Sequence, residues 1–165
     1  MEKPNILIIV VCGLVNNEKI LLLKRNNDPY KDHWVMPGGK LKFGETLDEA
    51  AVREFFEETG IKATCKAIKG LNNEVLMSQD PENKKFEKVN HFFIFVAELE
   101  SVETKFKESD EGELRWFDIN EIDKLKMIPS DILMVKEFLL NKDSSISMID
   151  VTMKEEKNNY KIIKK

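Results

Sequence analysis

At 165 residues, with 42% hydrophobic and 34% charged side chains, the chain is long enough to bury one core and too apolar to be disordered. Its formal net charge of −4 leaves no basic field, which argues against a nucleic-acid polymer as partner and means that an acidic ligand needs local positive charge. The two cysteines, Cys12 and Cys65, have no metal-type spacing and read as reduced, buried thiols of a cytoplasmic protein.

Residues 5–15, NILIIVVCGLV, are rich in Ile and Val and read as a buried strand. The run is too short to cross a bilayer and lacks a small-residue cleavage site, so no targeting or membrane segment is expected. A second strand is expected at 19–25, joined through Asn16-Asn17-Glu18-Lys19, whose Asn pair suits a tight hairpin. The polar stretch from Asn26 to His33 reads as a loop, with Asp28-Pro29 starting a turn. Pro37-Gly38-Gly39 then breaks regular structure and lets the backbone approach a ligand. The spacing predicts a helix from about Thr46 to Thr59: Thr46 and Glu49 form a capping-box pair, Leu47, Ala51 and Phe55 an apolar stripe, and Gly60 a closing cap.

Strands are expected at 61–78, 87–99 and 114–119, with Pro81 breaking the chain between the first two. Ser130 is read as the cap of a last amphipathic helix over 131–140, with Ile132, Val135 and Leu139 on one face. Beyond Asn141, SISMIDVTM and YKIIKK flank Asn158-Asn159 as a terminal hairpin. Strands with helices at two separate places make an α+β domain.

The chemistry concentrates in residues 39–61, GKLKFGETLDEAAVREFFEETGI. Glu54, Glu57 and Glu58 stand three and four residues apart and share one helix face. Each like-charge pair costs about 0.2–0.5 kcal/mol, and each carboxylate near the C-terminal end of the helix about 0.3–1 kcal/mol more. A divalent cation across that face would turn repulsion into coordination, and clustered oxygen donors suit Mg²⁺ or Mn²⁺. Arg53 lies four residues before Glu57, close enough to orient it; the alternative is a surface salt bridge of little worth. Glu45, at the helix start, reads as structural and paired with Arg53, with a metal contact as the alternative.

Gly39, Glu45, Arg53, Glu54, Glu57, Glu58, Gly60 and Ile61 follow the pattern Gly-x5-Glu-x7-Arg-Glu-hydrophobic-x-Glu-Glu-x-Gly-hydrophobic without a miss. The chain therefore resembles the Nudix hydrolases, over about residues 5–140. The resemblance implies a mixed sheet between helices, an α/β/α sandwich, with 1–141 as the Nudix domain and 142–165 as a C-terminal hairpin extension of it. It implies cleavage of a nucleoside diphosphate linked to another group. The implied metal, Mg²⁺ or Mn²⁺, is held by Glu54, Glu57, Glu58 and the carbonyl of Gly38, with Arg53 in support and Gly39, Glu45 and Gly60 shaping the motif. The general base is either a box glutamate, Glu54 or Glu57, or else Glu111 in DEGELRWF.

Substrate contacts are sought outside the box. Lys40 and Lys42 flank it and meet phosphates, or are solvated. Asp131 stands where MutT-like purine-nucleotide enzymes set an Asn or Asp against the base edge, although the helix dipole alone favours an Asp there. Trp34, with Phe93, is a candidate to stack on a base, with core packing as the alternative for Phe93. His33 and His91 read as surface or core histidines. Val35 occupies the position that reads oxidised guanine in the mammalian-type sanitiser, which argues against that specific activity. The CoA-type and NADH-type segments are missing, and Met77 stands near the place where ADP-ribose enzymes often carry a proline.

The expected activity is a Mg²⁺-dependent pyrophosphohydrolase of a purine nucleoside triphosphate, oxidised or not. The alternatives are an ADP-ribose or nucleotide-sugar diphosphatase and a non-catalytic nucleotide-binding module. Its partner is a small-molecule nucleotide, with no nucleic-acid polymer and no membrane, and the chain is a monomer or homodimer.

Overall fold

The computed structural model describes residues 5–80, 82–107, 109–143 and 145–165, and only the backbone of Lys88 and Val89. Pro81, read as a strand breaker, lies outside the described residues. Strands β1 (Asn5–Asn16) and β2 (Lys19–Arg25) form the expected hairpin. Asn17 and Glu18 at its tip both have positive φ, 48° and 60°, the left-handed pair that matches the twist of a tight hairpin. β1 then lies parallel to β6 (Phe86–Glu100) from Asn5 to Leu14, and antiparallel to the short β4 (Gly38–Lys40).

The result is one curled mixed sheet in the order β3-β2-β1-β6-β5-β8-β9, where β3 is Trp34–Val35, β5 Thr64–Gln79, β8 Ser147–Glu156 and β9 Asn159–Lys164. β7 (Gly112–Asp118) pairs with the other edge of β2. A 3-10 helix, Ile119–Lys124, follows it. No helix among the described residues is long and apolar enough to cross a membrane.

Helix α1 (Leu47–Thr59) is set by local signals. The Thr46 hydroxyl accepts from Glu49 N, the Glu49 carboxylate accepts from Thr46 N, and Gly60 closes the helix at φ 70°. Its Ala50, Ala51 and Phe55 are fully buried on one face of the sheet, where the Cys12 thiol donates to the Ala51 carbonyl. Burying a side chain the size of Phe55 contributes about 1.5–3 kcal/mol.

Side chains alternate along a strand, so Gly13, next to Cys12, faces the opposite side and receives Leu139. That second face carries α2 (Pro129–Met134) and a π-helical turn, Val135–Leu139. These two elements replace the single helix expected over 131–140. Pro129 fixes the first turn, and Ile128, not Ser130, is the N-cap, with no side-chain capping bond. Ser130 is instead buried inside the helix, lining the same cavity as Glu74. The buried apolar residues of this segment are Met134, Val135 and Phe138, while Ile132 and Leu139 are half-buried. Layers on both faces of a mixed sheet give an α+β, α/β/α sandwich.

Candidate active site

The box places Arg53 at the centre of a carboxylate cluster. Its Nε and Nη2 donate to the two oxygens of Glu45, the latter at 2.9 Å, and its Nη1 donates to Glu54 Oε1 at 2.5 Å and to Glu57 Oε2 at 3.4 Å. Nη2 also reaches the Lys40 carbonyl at 3.3 Å, tying α1 to the strand before it. These bonds pull the Glu45 carboxyl down to about 2 and raise Arg53 further above its already high value. Glu45 is thus held by Arg53 and, through Lys42 N at 2.9 Å, closes the turn ahead of the helix.

Glu58 takes a different environment. It is 8% exposed and its Oε2 accepts from Gly38 N at 2.8 Å. Burial pushes its carboxyl up to about 8; the Gly38 N–H opposes this, while the nearby charges of Glu54 and Glu111 add to it. Glu111 itself is exposed, on the loop leading into β7. Glu57 is half-exposed, with Lys42 Nζ 3.9 Å from its Oε1.

Among the described residues, no three acidic, His or Cys side chains converge as a ready metal cage. The reason is visible in the contacts: Glu54 is drawn to Arg53, Glu57 to Arg53 and Lys42, and Glu58 inward to Gly38. The donors nevertheless suit a hard cation. They are all oxygens, they sit around one strand–helix junction, and Mg²⁺ retains several waters and takes few carboxylates. Gly39 keeps that junction open, because a Cβ there would run into the Glu54 carboxylate.

A cavity of about 450 Å³ starts at this junction, where Gly38, Gly39, Lys40 and Glu58 form part of its wall. Its sides are apolar, from Leu7 and Ile9 on β1 and Phe92 and Ile94 on β6. Its lining also includes the polar side chains Tyr30, Glu74, Ser130 and Asp131. Asp131 Oδ2 accepts from Met36 N at 2.8 Å. Burial raises the Asp131 carboxyl to about 7; the Met36 N–H and Arg25 oppose this, and neighbouring Glu74 adds to it. Glu74 is 1% exposed and accepts from Asn72 Nδ2 at 3.0 Å and from the Tyr30 hydroxyl at 3.4 Å; burial raises it too. Tyr30 sits at φ 68°, a conformation that costs a bulky residue on the order of 1–3 kcal/mol and persists only when its surroundings hold it.

The candidate residues therefore separate into groups. Gly38, Gly39, Lys40, Glu45, Arg53, Glu54, Glu57 and Glu58 gather at one junction, with Glu111 near enough to act on Glu58; Gly60 stands one turn away as the helix cap. Asp131 lines the same cavity, held on Met36 N. Trp34 does not line it: alternation on β3 turns Val35 into the cavity and Trp34 away, edge-on to Phe117 at 4.6 Å and beneath the Arg115 guanidinium at 5.7 Å. Phe93, between the cavity-lining Phe92 and Ile94, likewise faces the other side of the sheet and stacks on His91. His33 is buried, with Nδ1 against the Lys31 carbonyl, and His91 bonds Asn73.

Sequence reasoning missed Glu74, Tyr30 and Ser130. One signal was present: Asn72 and Glu74 interrupt the apolar alternation of β5 at inward positions, where an unpaired polar group is expensive.

Residues 6–138 match the family model of the NUDIX domain. The chain is 35% identical over 120 residues to the uncharacterized Nudix hydrolase YvcI of Bacillus subtilis (strain 168), covering 73% of this chain and 71% of that protein. It is 34% identical over 119 residues to an ADP-ribose pyrophosphatase of Methanocaldococcus jannaschii, covering 71% of this chain and 65% of that protein. Among solved structures, the mutator MutT protein of Bacillus halodurans superposes with a TM-score of 0.64 at 28% identity, covering 95% of this chain and 97% of that one.

Proposed function

The chain belongs to the NUDIX domain family of pyrophosphate-bond hydrolases, and from that premise we propose that it is a Mg²⁺- or Mn²⁺-dependent, MutT-like enzyme of the cytoplasm that cleaves a purine nucleoside triphosphate to monophosphate and pyrophosphate. The observation that carries this reading is that one cavity is lined both by the glutamate-bearing strand–helix junction and by two further buried carboxyls, Glu74 and Asp131. Phosphates fit the first place and a base the second, and the volume falls within the range of small-molecule sites.

The chain's own groups divide the work. Glu54, Glu57, Glu58 and the Gly38 carbonyl are the oxygen donors for the metal, which when bound neutralises phosphate charge and lowers the pKa of water. Arg53 holds Glu54 and Glu57 in register, and Glu45 holds Arg53. Lys40, on the cavity wall, offers a cation to the phosphates. Glu111, close enough to raise Glu58, is the candidate to accept the proton of the attacking water, with a box glutamate as the alternative. Asp131 accepts from the base edge.

The relationship to the Methanocaldococcus jannaschii protein favours a second reading, an ADP-ribose diphosphatase. A product assay separates the two. With Mg²⁺ and a nucleotide panel, monophosphate plus pyrophosphate from a purine triphosphate, abolished by chelator, is the expected result. Two monophosphates from ADP-ribose, with triphosphates untouched, would move the assignment to the second reading.

A further inference from the structure

The C-terminal hairpin β8–β9 lies outside the residues that match the family model, yet it touches all three elements that carry Tyr30, Glu74, Ser130 and Asp131. β8 runs parallel beside β5, with Val151 opposite Glu74, and its Val151 and Met153 are buried. β9 packs against α2, which carries Ser130 and Asp131. At the hairpin's tip, Asn158 Nδ2 donates to the Lys31 carbonyl at 3.2 Å. Tyr160 meets the same loop: its ring lies 4.5 Å from that of Tyr30 and 5.2 Å from that of His33, and its hydroxyl accepts from Tyr30 N at 3.3 Å.

Those contacts answer a physical need. Tyr30 occupies the left-handed region, and nothing in its own local sequence favours that conformation. The Tyr160 ring and hydroxyl grip both the side chain and the backbone N–H of Tyr30, and so fix where the Tyr30 hydroxyl points. It points at Glu74. Bonded by Tyr30 and Asn72, Glu74 lines the same cavity as Asp131, whose Oδ2 is taken by Met36 N. Two neighbouring carboxyls out of water repel each other, and the partner that best relieves the repulsion is a flat group offering adjacent N–H donors.

We propose that the C-terminal hairpin is a specificity element of the active site: Tyr160 positions Tyr30 on Glu74, and Glu74 with Asp131 takes the adjacent ring N–H and amino group of a guanine-type base. This rests on the nucleotide reading of the site. Glu74 and Asp131 are the groups that touch the base; Tyr160 is a positioning residue, acting through Tyr30.

The test is calorimetric titration of the full chain with nucleoside monophosphates, which reads the base site without turnover. GMP should bind at least about tenfold tighter than IMP, which lacks the amino group, and tighter than AMP. Glu74→Gln and Tyr160→Ala should each erase that preference, Tyr160→Phe should keep most of it, and ribose 5-phosphate, which has no base, should bind all four proteins within about twofold. Equal affinity of the wild type for GMP and IMP overturns the base assignment. Tyr160→Ala binding GMP like wild type, or losing ribose 5-phosphate by the same factor as GMP, overturns the positioning role. A chain that shows the GMP preference yet cleaves only ADP-ribose would refute the triphosphatase reading and leave this inference standing.

Discussion

Arg53 Nη1 donates to Glu54 Oε1 at 2.5 Å, although the two residues are neighbours on one helix. Side chains at i and i+1 ordinarily diverge by about 100° around a helix and do not meet. Here Glu54 is turned aside to face the guanidinium, and the same guanidinium holds Glu45 and reaches Glu57. A single fork thus sets the direction of two of the three candidate metal ligands.

Lysine cannot reproduce that fork, since it carries one point charge and no planar set of donors. Arg53→Lys should therefore lower kcat by about a hundredfold, the scale of a misplaced reacting group, while the thermal midpoint changes little. Turnover within a factor of about three of wild type would show that the fork is only a surface ion pair.

Glu57→Gln and Glu58→Gln test the metal assignment separately from the fold. Gln keeps the shape of Glu, and at position 58 its carbonyl still accepts from Gly38 N, so both variants should fold. Each should lose on the order of a hundredfold or more in rate and bind Mg²⁺ more weakly in a direct titration. Full activity in both would remove these carboxylates from the metal site.

The part of this site that was legible in the sequence was the part built from local signals. Thr46, Glu49 and Gly60 fix the ends of α1, and the box spacing then places Arg53 and its carboxylates on one face with no knowledge of the rest of the chain. Ser130 has the chemistry of a cap, but Pro129 starts the helix one residue earlier, and Ser130 is buried on the cavity wall. Glu74 went unseen because its partner Tyr30 is 44 residues away, and only the folded chain brings them together. Trp34 was offered to the base on chemistry alone. The pleat of β3 sends Val35 toward the cavity and Trp34 away from it, and a two-residue strand gives no periodicity from which to read that.

Glu111 is exposed, yet its charge reaches the buried Glu58 carboxyl. An exposed carboxylate whose charge reaches that junction is a candidate to accept the proton of an attacking water. Glu111→Gln should reduce kcat by at least about tenfold, with KM and the thermal midpoint little changed. Wild-type turnover in this variant would assign the base to the box glutamates.

Asp131 gives a signature in stability instead of rate. Its carboxyl is raised to about 7 in the fold, against 3.8 for an ordinary Asp, chiefly by burial. Between those values the native state binds the proton more tightly than the unfolded chain does. The contribution is therefore fully present below about pH 4 and is lost as the pH rises through about 7. Asparagine at this position keeps an acceptor for Met36 N and carries no charge at any pH. The thermal midpoint of Asp131→Asn, relative to wild type, should accordingly climb from pH 4 to pH 7 and level off above, by about 2–4 °C for each kcal/mol that ionisation costs the native protein. A difference that stays flat over that range would mean that Asp131 is charged in the fold throughout, with a cation or donor at its side.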